Sequence, residues 1–117
     1  MTFATRTVLP LALALAAVMT PSPAAAGQDD LIKKGASVYA AQKCQTCHAV
    51  AGQGSKTNPL DGVGKKLTAD EIKQWVVNPT EMTAKANSTK KPPMPNRYSK
   101  LPAADIDALV AYLASLK

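Results

Sequence analysis

The side chains of this protein with the most versatile chemistry lie in one short segment. The sequence QKCQTCHAV (residues 42–50) contains Cys44, Cys47 and His48, and no other cysteine or histidine occurs among the 117 residues. Two thiols with two residues between them can form a disulfide, act as a redox pair, provide half of a zinc site, or bond covalently to a haem. The rest of the sequence has to decide among these four kinds of site.

Three of the four kinds of site explain the segment poorly. A structural zinc site needs four ligands, and the chain has only these three Cys and His residues, so carboxylates would have to complete it. A thioredoxin-like redox pair follows a strand of a βαβ unit, and no strand pattern precedes Cys44. A disulfide between Cys44 and Cys47 would close a very small loop and add little stability. None of these sites explains the adjacent His48.

Covalent haem attachment uses all three residues. Thiols with this spacing lie about one helical turn apart and match the two vinyl groups on one edge of a porphyrin. The histidine directly after the second cysteine is then placed to bind the iron from the proximal side of the ring. We therefore predict one haem c, bonded through Cys44 and Cys47 and coordinated by His48.

The iron also needs a sixth ligand or an open coordination position. Because the chain has no second histidine, methionine is the natural ligand, and Met82 and Met94 are the candidates outside the N-terminal segment. Met94 lies in KKPPMPNRY, where three prolines restrict the backbone, whereas Met82 lies among polar residues shortly after a predicted helix. We predict Met94 as the axial ligand. Met82, an open position and an ordinary packing role for either methionine are the alternatives.

Three segments with helical periodicity would position these side chains. Thr68 and Glu71 form a capping-box pattern at the start of the second segment, and Pro79 marks its end. Asp105 and Asp107 lie in the first turns of the third segment, where negative charge is favourable. The predicted helices span residues 29–43, 68–79 and 102–117.

The segments between the predicted helices are rich in glycine and proline. Residues 49–66 contain four glycines and a proline, and residues 78–98 contain four prolines. Neither segment has a helical or a strand period, so we expect long irregular loops. The sequence therefore predicts a small all-α fold with almost no strand.

The N-terminal residues have the layout of a secretory signal peptide. Arg6 precedes an apolar run from Val8 to Met19, and small residues follow up to Ala26. The run is shorter than the roughly 18 residues that a membrane-spanning helix needs, which makes an uncleaved anchor the weaker alternative. We expect residues 1–26 to be removed and residues 27–117 to form a single domain, exported to the periplasm and soluble, without stable membrane insertion.

The charge of the chain is strongly basic. The formal net charge is +6, and removal of Arg6 with the signal peptide leaves 6 − 1 = +5. Export and the low aromatic content argue against nucleic acid as a partner, which leaves proteins with acidic docking patches. Several basic residues lie near the haem motif or near Met94 in the sequence: Lys43, Lys56, Lys90, Lys91, Arg97 and Lys100.

Taken together, these segments resemble the class I monohaem cytochrome c family of the bacterial periplasmic type. The resemblance rests on the Cys44-x-x-Cys47-His48 motif, the Gly- and Pro-containing loop after it, the Met94-Pro95 pair and the C-terminal DIDALVAYLASL. It implies a small domain in which the N- and C-terminal helices cross over a haem, with a middle helix and long irregular loops. The polar, Pro-rich segment 80–93 departs from the family pattern.

The resemblance also assigns individual positions. It implies that Gly35 and Tyr39 on the first helix meet Leu109 and Tyr112 on the last, with the glycine allowing close approach. It further implies that the carbonyl of Pro59 accepts the N–H of the proximal imidazole. Trp75 matches the tryptophan that closes the floor of the haem site near a propionate.

The expected function is one-electron transfer. A haem with histidine and methionine as axial ligands has no position open to a substrate, so we expect a monomeric electron carrier rather than an enzyme. Two alternatives stay open at this point. One is a cytochrome subunit of a periplasmic oxidoreductase complex, and the other is a haem sensor or weak peroxidase in which the sixth position is open.

Overall fold

The computed structural model describes residues 17–20 and 23–117. Within these residues the chain is mostly helical, with two short strands that pair in antiparallel fashion and with 3₁₀ turns at Cys44–Thr46 and Asn96–Lys100. Most of the proposed signal peptide, residues 1–16 and 21–22, lies outside the described residues. The elements are α1 (Pro23–Ala41), β1 (Ala49–Val50), β2 (Gln53–Gly54), α2 (Val63–Lys66), α3 (Ala69–Val77), α4 (Pro79–Lys85) and α5 (Ala103–Ala114).

The first and last of these helices, α1 and α5, cross at very close range. A Cβ atom on Gly35 would overlap the carbonyl oxygen of Ala108 and lie 2.6 Å from Cβ of Tyr112. One turn further along α1, the rings of Tyr39 and Tyr112 meet edge to face with their centroids 5.6 Å apart. The predicted crossing of the terminal helices is therefore confirmed. The backbone closest to Gly35 belongs to Ala108, which the expectation did not name, and Leu109 lies in the same buried cluster as Tyr39.

The apolar core lies between α1, α3 and α5, with the second 3₁₀ turn packed against α3. Tyr98 from that turn is buried, as is Val76 on α3. Within residues 17–20 and 23–117, no helix is long and apolar enough to cross a membrane. The buried cluster comprises Val38, Tyr39, Ile72, Val76, Tyr98, Ile106, Leu109, Val110 and Leu113.

Helix α3 begins with the capping box that the sequence predicts. The hydroxyl of Thr68 accepts a hydrogen bond from the Glu71 amide at 3.2 Å, and the Glu71 carboxylate accepts one from the Thr68 amide at 2.7 Å. Two amides that the helix cannot satisfy internally are thereby paired. Since α3 carries Trp75 and Val76, this cap helps to fix part of the cavity described below.

Loss of the capping hydroxyl should destabilise the protein measurably. We expect Thr68→Ala to lower the free energy of unfolding by about 1 kcal/mol, the typical cost of removing an N-cap side chain. Denaturant unfolding of the haem-bound protein, followed by circular dichroism, measures this change. Glu71→Gln is the control, because glutamine preserves the reciprocal bond and should cost less. Equal stability of Thr68→Ala and the wild type would contradict the role of the cap.

The segment expected to be a structureless loop, residues 78–98, contains a helix. Helix α4 begins at Pro79, directly after Asn78 ends α3. Proline is well suited to the first position of a helix because its fixed φ is helical and its missing N–H is not needed there. Glu81 and Lys85 then form an ion pair at 2.7 Å on one face. The sequence-based prediction treated Pro79 only as the end of α3, and it is also the start of α4.

Candidate functional site

A tight turn brings the two cysteines and the histidine together after α1. Lys43 has a left-handed backbone conformation with φ of 57° and ends the helix. The amides of Cys47 and His48 both donate to the carbonyl of Cys44, at 3.2 and 3.0 Å. Both cysteines are free thiols, and all three side chains line one large cavity. The motif is therefore folded as a compact unit without a disulfide.

The cavity is large enough for a cofactor and mostly apolar. Its volume is about 920 Å³, at the upper end of the roughly 300–1,000 Å³ typical of small-molecule sites. Met94, Trp75 and Pro59 all line the cavity. Met82 is not among the described residues that line it. Met94 is half-buried and packs against the core. The apolar part of the wall includes Leu60, Val63, Leu67, Ile72, Val76, Leu109 and Leu113.

The imidazole of His48 is held in one tautomer. Its Nδ1 lies 3.0 Å from the carbonyl oxygen of Asn58. A carbonyl can only accept, so Nδ1 carries the proton and donates, which leaves the lone pair on Nε2. Burial lowers the pKa of His48, the bond to Asn58 opposes that shift, and the charge of Lys90 adds to it. The neutral ring with a free Nε2 is the form that binds a metal.

The acceptor of this hydrogen bond differs from the expected one by a single residue. The sequence-based prediction gave the carbonyl of Pro59, and that assignment is wrong, since the bond is to Asn58. Pro59 instead pairs with Ala49 in an isolated bridge, and the neighbouring Leu60 amide donates to the Ala49 carbonyl at 2.8 Å. These contacts hold the loop against β1 and thereby place the Asn58 carbonyl at the imidazole.

The surroundings of Cys44 favour the protonated thiol. Burial raises the pKa of Cys44, so this thiol is protonated at neutral pH, whereas reactive and metal-binding cysteines are thiolates. Among the residues that the structure describes, no group of three or more His, Cys, Asp or Glu side chains is arranged to hold a metal ion. The described residues therefore do not complete a four-ligand zinc site around the motif.

Tyr39 supplies a polar group that the chain itself does not satisfy. This residue lines the cavity, and its buried hydroxyl has no hydrogen-bond partner in the described part of the chain. Burial raises the pKa of Tyr39 to about 12, so the hydroxyl is a neutral donor at physiological pH. Sequence analysis placed Tyr39 only at the helix crossing, because a tyrosine on an apolar helix face gives no sign of an unpaired hydroxyl.

The residues around this cavity fit a haem. The lining includes two free thiols, an imidazole with a free Nε2 and, from another segment, Met94, and the remaining surface is largely apolar. A porphyrin needs such an apolar environment together with a few polar donors, and Tyr39 offers one of these. Lys43, Lys90 and Arg97 also line the cavity.

The comparisons with known proteins agree with this site. The model of the cytochrome c family matches residues 32–117. Cytochrome c-555 of Methylococcus capsulatus (strain ATCC 33009 / NCIMB 11132 / Bath) is 37% identical over 73 residues, which cover 62% of this chain and 58% of the relative. The match thus spans a little over half of that relative's length, and no solved structure matches the chain. Because the family model covers most of the sequence, the chain belongs to the cytochrome c family.

Proposed function

We propose that this protein is an exported electron carrier that holds one haem c through thioether bonds from Cys44 and Cys47, with His48 and Met94 as the axial ligands. The observation that carries the proposal is that one cavity gathers both thiols, an imidazole with a free Nε2 and a methionine thioether. When bound, the haem supplies an iron that gains and loses one electron.

The protein residues determine how that iron behaves. The bond from His48 to Asn58 fixes the ring and increases the basicity of its Nε2. Met94 is a soft ligand, which favours the ferrous state and raises the potential. A haem held by both His48 and Met94 would leave no position open to a substrate, which suits a carrier of electrons rather than an enzyme. Trp75 and Pro59 are part of the cavity lining.

The charges around the cavity suit an acidic protein partner. Lys43, Lys90 and Arg97 are exposed and line the cavity, and no Asp or Glu is among the described residues of that lining. Three acidic side chains elsewhere are paired: Asp105 with Lys34, Asp107 with Lys73 and Glu81 with Lys85. The charged side chains of the cavity lining are therefore all positive among the described residues, and electrostatic steering there would accelerate docking of redox partners and make it sensitive to salt.

The proposed location follows from the chemistry of attachment and from the N-terminal sequence. Haem c is attached outside the cytoplasm, and residues 1–26 have the layout of a signal peptide. The domain after cleavage, residues 27–117, would act in the periplasm as a soluble monomer. Helix α1 starts at Pro23 in the full-length chain, so cleavage would shorten it by its first four residues, 23–26.

An optical spectrum of the exported protein tests the proposed function. We expect the ferric form to show the weak band at the red edge of the visible spectrum that arises from a methionine–iron bond. We expect the ferrous form not to bind carbon monoxide, because both axial positions are filled. A missing red-edge band together with ready binding of carbon monoxide would refute the carrier and favour a sensing or catalytic role.

A further inference from the structure

The segment that carries Met94 makes few hydrogen bonds to the rest of the protein. Residues 86–95 connect α4 to the second 3₁₀ turn, and their backbone bonds are local, such as that from the Lys90 amide to the Ser88 hydroxyl at 3.4 Å. Within the described part of the chain, one hydrogen bond joins this segment to a residue before α4. It runs from Nζ of Lys90 to the carbonyl oxygen of Thr57 at 3.3 Å.

The bond from Lys90 reaches the residue directly before Asn58, the hydrogen-bond acceptor for His48. The carbonyl of Thr57 belongs to the peptide that links it to Asn58, and the next carbonyl along the chain, that of Asn58, accepts the N–H of His48. The ammonium of Lys90 therefore ties the segment bearing the proposed sixth ligand to the loop that orients the fifth. Both Lys90 and Asn58 also line the cavity.

We propose that Lys90 is a positioning residue, which holds the segment 86–95 closed against the loop around Thr57 and so keeps Met94 on the iron. This inference rests on the proposed function, in which Met94 is the sixth ligand. A thioether is a weak ligand, so it stays bound only if its segment cannot move away. Residues 91–95 make no hydrogen bonds in the described structure, and a charge-assisted bond from Lys90 restrains them at one point.

The neighbouring lysine provides a matched control. Lys91 carries the same charge and is also exposed, but it makes no hydrogen bond or ion pair among the described residues. Lys91→Ala therefore removes one positive charge at almost the same place without removing the contact to Thr57. Lys90→Arg is the conservative variant, because a guanidinium can also donate to a carbonyl.

The experiment is to mix the ferric holoprotein with imidazole and follow its binding to the iron. Imidazole can bind only when Met94 has left, so the observed rate reports opening of the segment. We expect Lys90→Ala to bind imidazole about fivefold faster than the wild type, in keeping with the net effect of one hydrogen bond. Lys91→Ala and Lys90→Arg should stay close to the wild-type rate. No partner protein is present, so any role of these lysines in docking does not affect the result.

Two further readouts separate the possible outcomes. The denaturant midpoint of Lys90→Ala should fall only slightly below that of Lys91→Ala, because the lost bond stabilises the closed native state by the same factor of about five. Suppose that the wild type shows the red-edge band but Lys90→Ala and Lys91→Ala bind imidazole at equal rates. The proposed role of Lys90 is then wrong, and the proposed function stands. Absence of that band in the wild type would overturn the proposed function and this inference with it.

Discussion

Replacement of Met94 by alanine will open the haem iron to carbon monoxide, and replacement of Met82 will leave it closed. Met94 lines the cavity together with His48, whereas Met82 lies on α4 and is not part of the described lining. Loss of the thioether leaves alanine, which cannot coordinate iron. The soft ligand that favours ferrous iron is then missing, so the midpoint potential should fall as well.

The expected change in carbon monoxide affinity depends on the fraction of time for which the sixth coordination position of the iron is open. A ligand that binds only an open state populated at about 1% has an apparent affinity roughly 100-fold weaker than for a permanently open site. We therefore expect Met94→Ala to gain affinity for carbon monoxide by on the order of 100-fold or more. Titration of the ferrous protein with carbon monoxide measures this change.

Met82→Ala is the control for that experiment. It removes the same side chain from a half-buried position on α4, 94 − 82 = 12 residues earlier, so a general loosening caused by loss of a packed methionine would affect both variants alike. Should Met82→Ala open the iron while Met94→Ala stays closed, the axial assignment would move to Met82. Should both stay closed, neither methionine would be the ligand.

Replacement of Gly35 by valine will disrupt the crossing of α1 and α5. A Cβ at this position overlaps the carbonyl oxygen of Ala108, which is backbone and cannot rotate away as a side chain can. The helices must therefore separate, and the contact between Tyr39 and Tyr112 weakens with them. We expect a loss of about 3 kcal/mol or more of unfolding free energy, the upper end for overpacked sites. The total free energy of unfolding of a native protein is only about 5–15 kcal/mol.

Denaturant unfolding of the haem-bound variant measures this loss. Ala40→Val is the matched control, since it introduces valine at an exposed position of the same helix and should change stability by only a few tenths of a kcal/mol through helix propensity. An unchanged unfolding midpoint for Gly35→Val would mean that the close approach of the two helices is not needed.

The sequence predicts the parts of this protein that depend on residue type. Cys44, Cys47 and His48 can be recognised because no other residues in the sequence offer that chemistry. Gly35 is specific for a steric reason, since a Cβ there would overlap the neighbouring helix. The capping box at Thr68 is specific because its side chains form defined hydrogen bonds. The crossing of the terminal helices is implied by the resemblance to the cytochrome c family, and Gly35 supplies its physical reason.

The features that the sequence does not predict depend on the path of the backbone. Any residue can supply a carbonyl, so nothing in the side chain of Asn58 marks it as the acceptor for His48. Helix α4 is short and starts directly after another helix, and its Pro79 has the same appearance as a helix stop. The bond from Lys90 to Thr57 joins residues 33 positions apart on two loops, which periodicity cannot relate.

The crossing at Gly35 also sets an order of events for the proposed export. Its partners, Ala108 and Tyr112, follow Gly35 by 73 and 77 residues, so in a chain exported unfolded most of the domain would cross the membrane before α1 can meet α5. The thiols of Cys44 and Cys47 emerge much earlier, on a chain that lacks its final helix. Attachment of the haem can therefore take place on an open polypeptide, and arrival of α5 then closes the core around it.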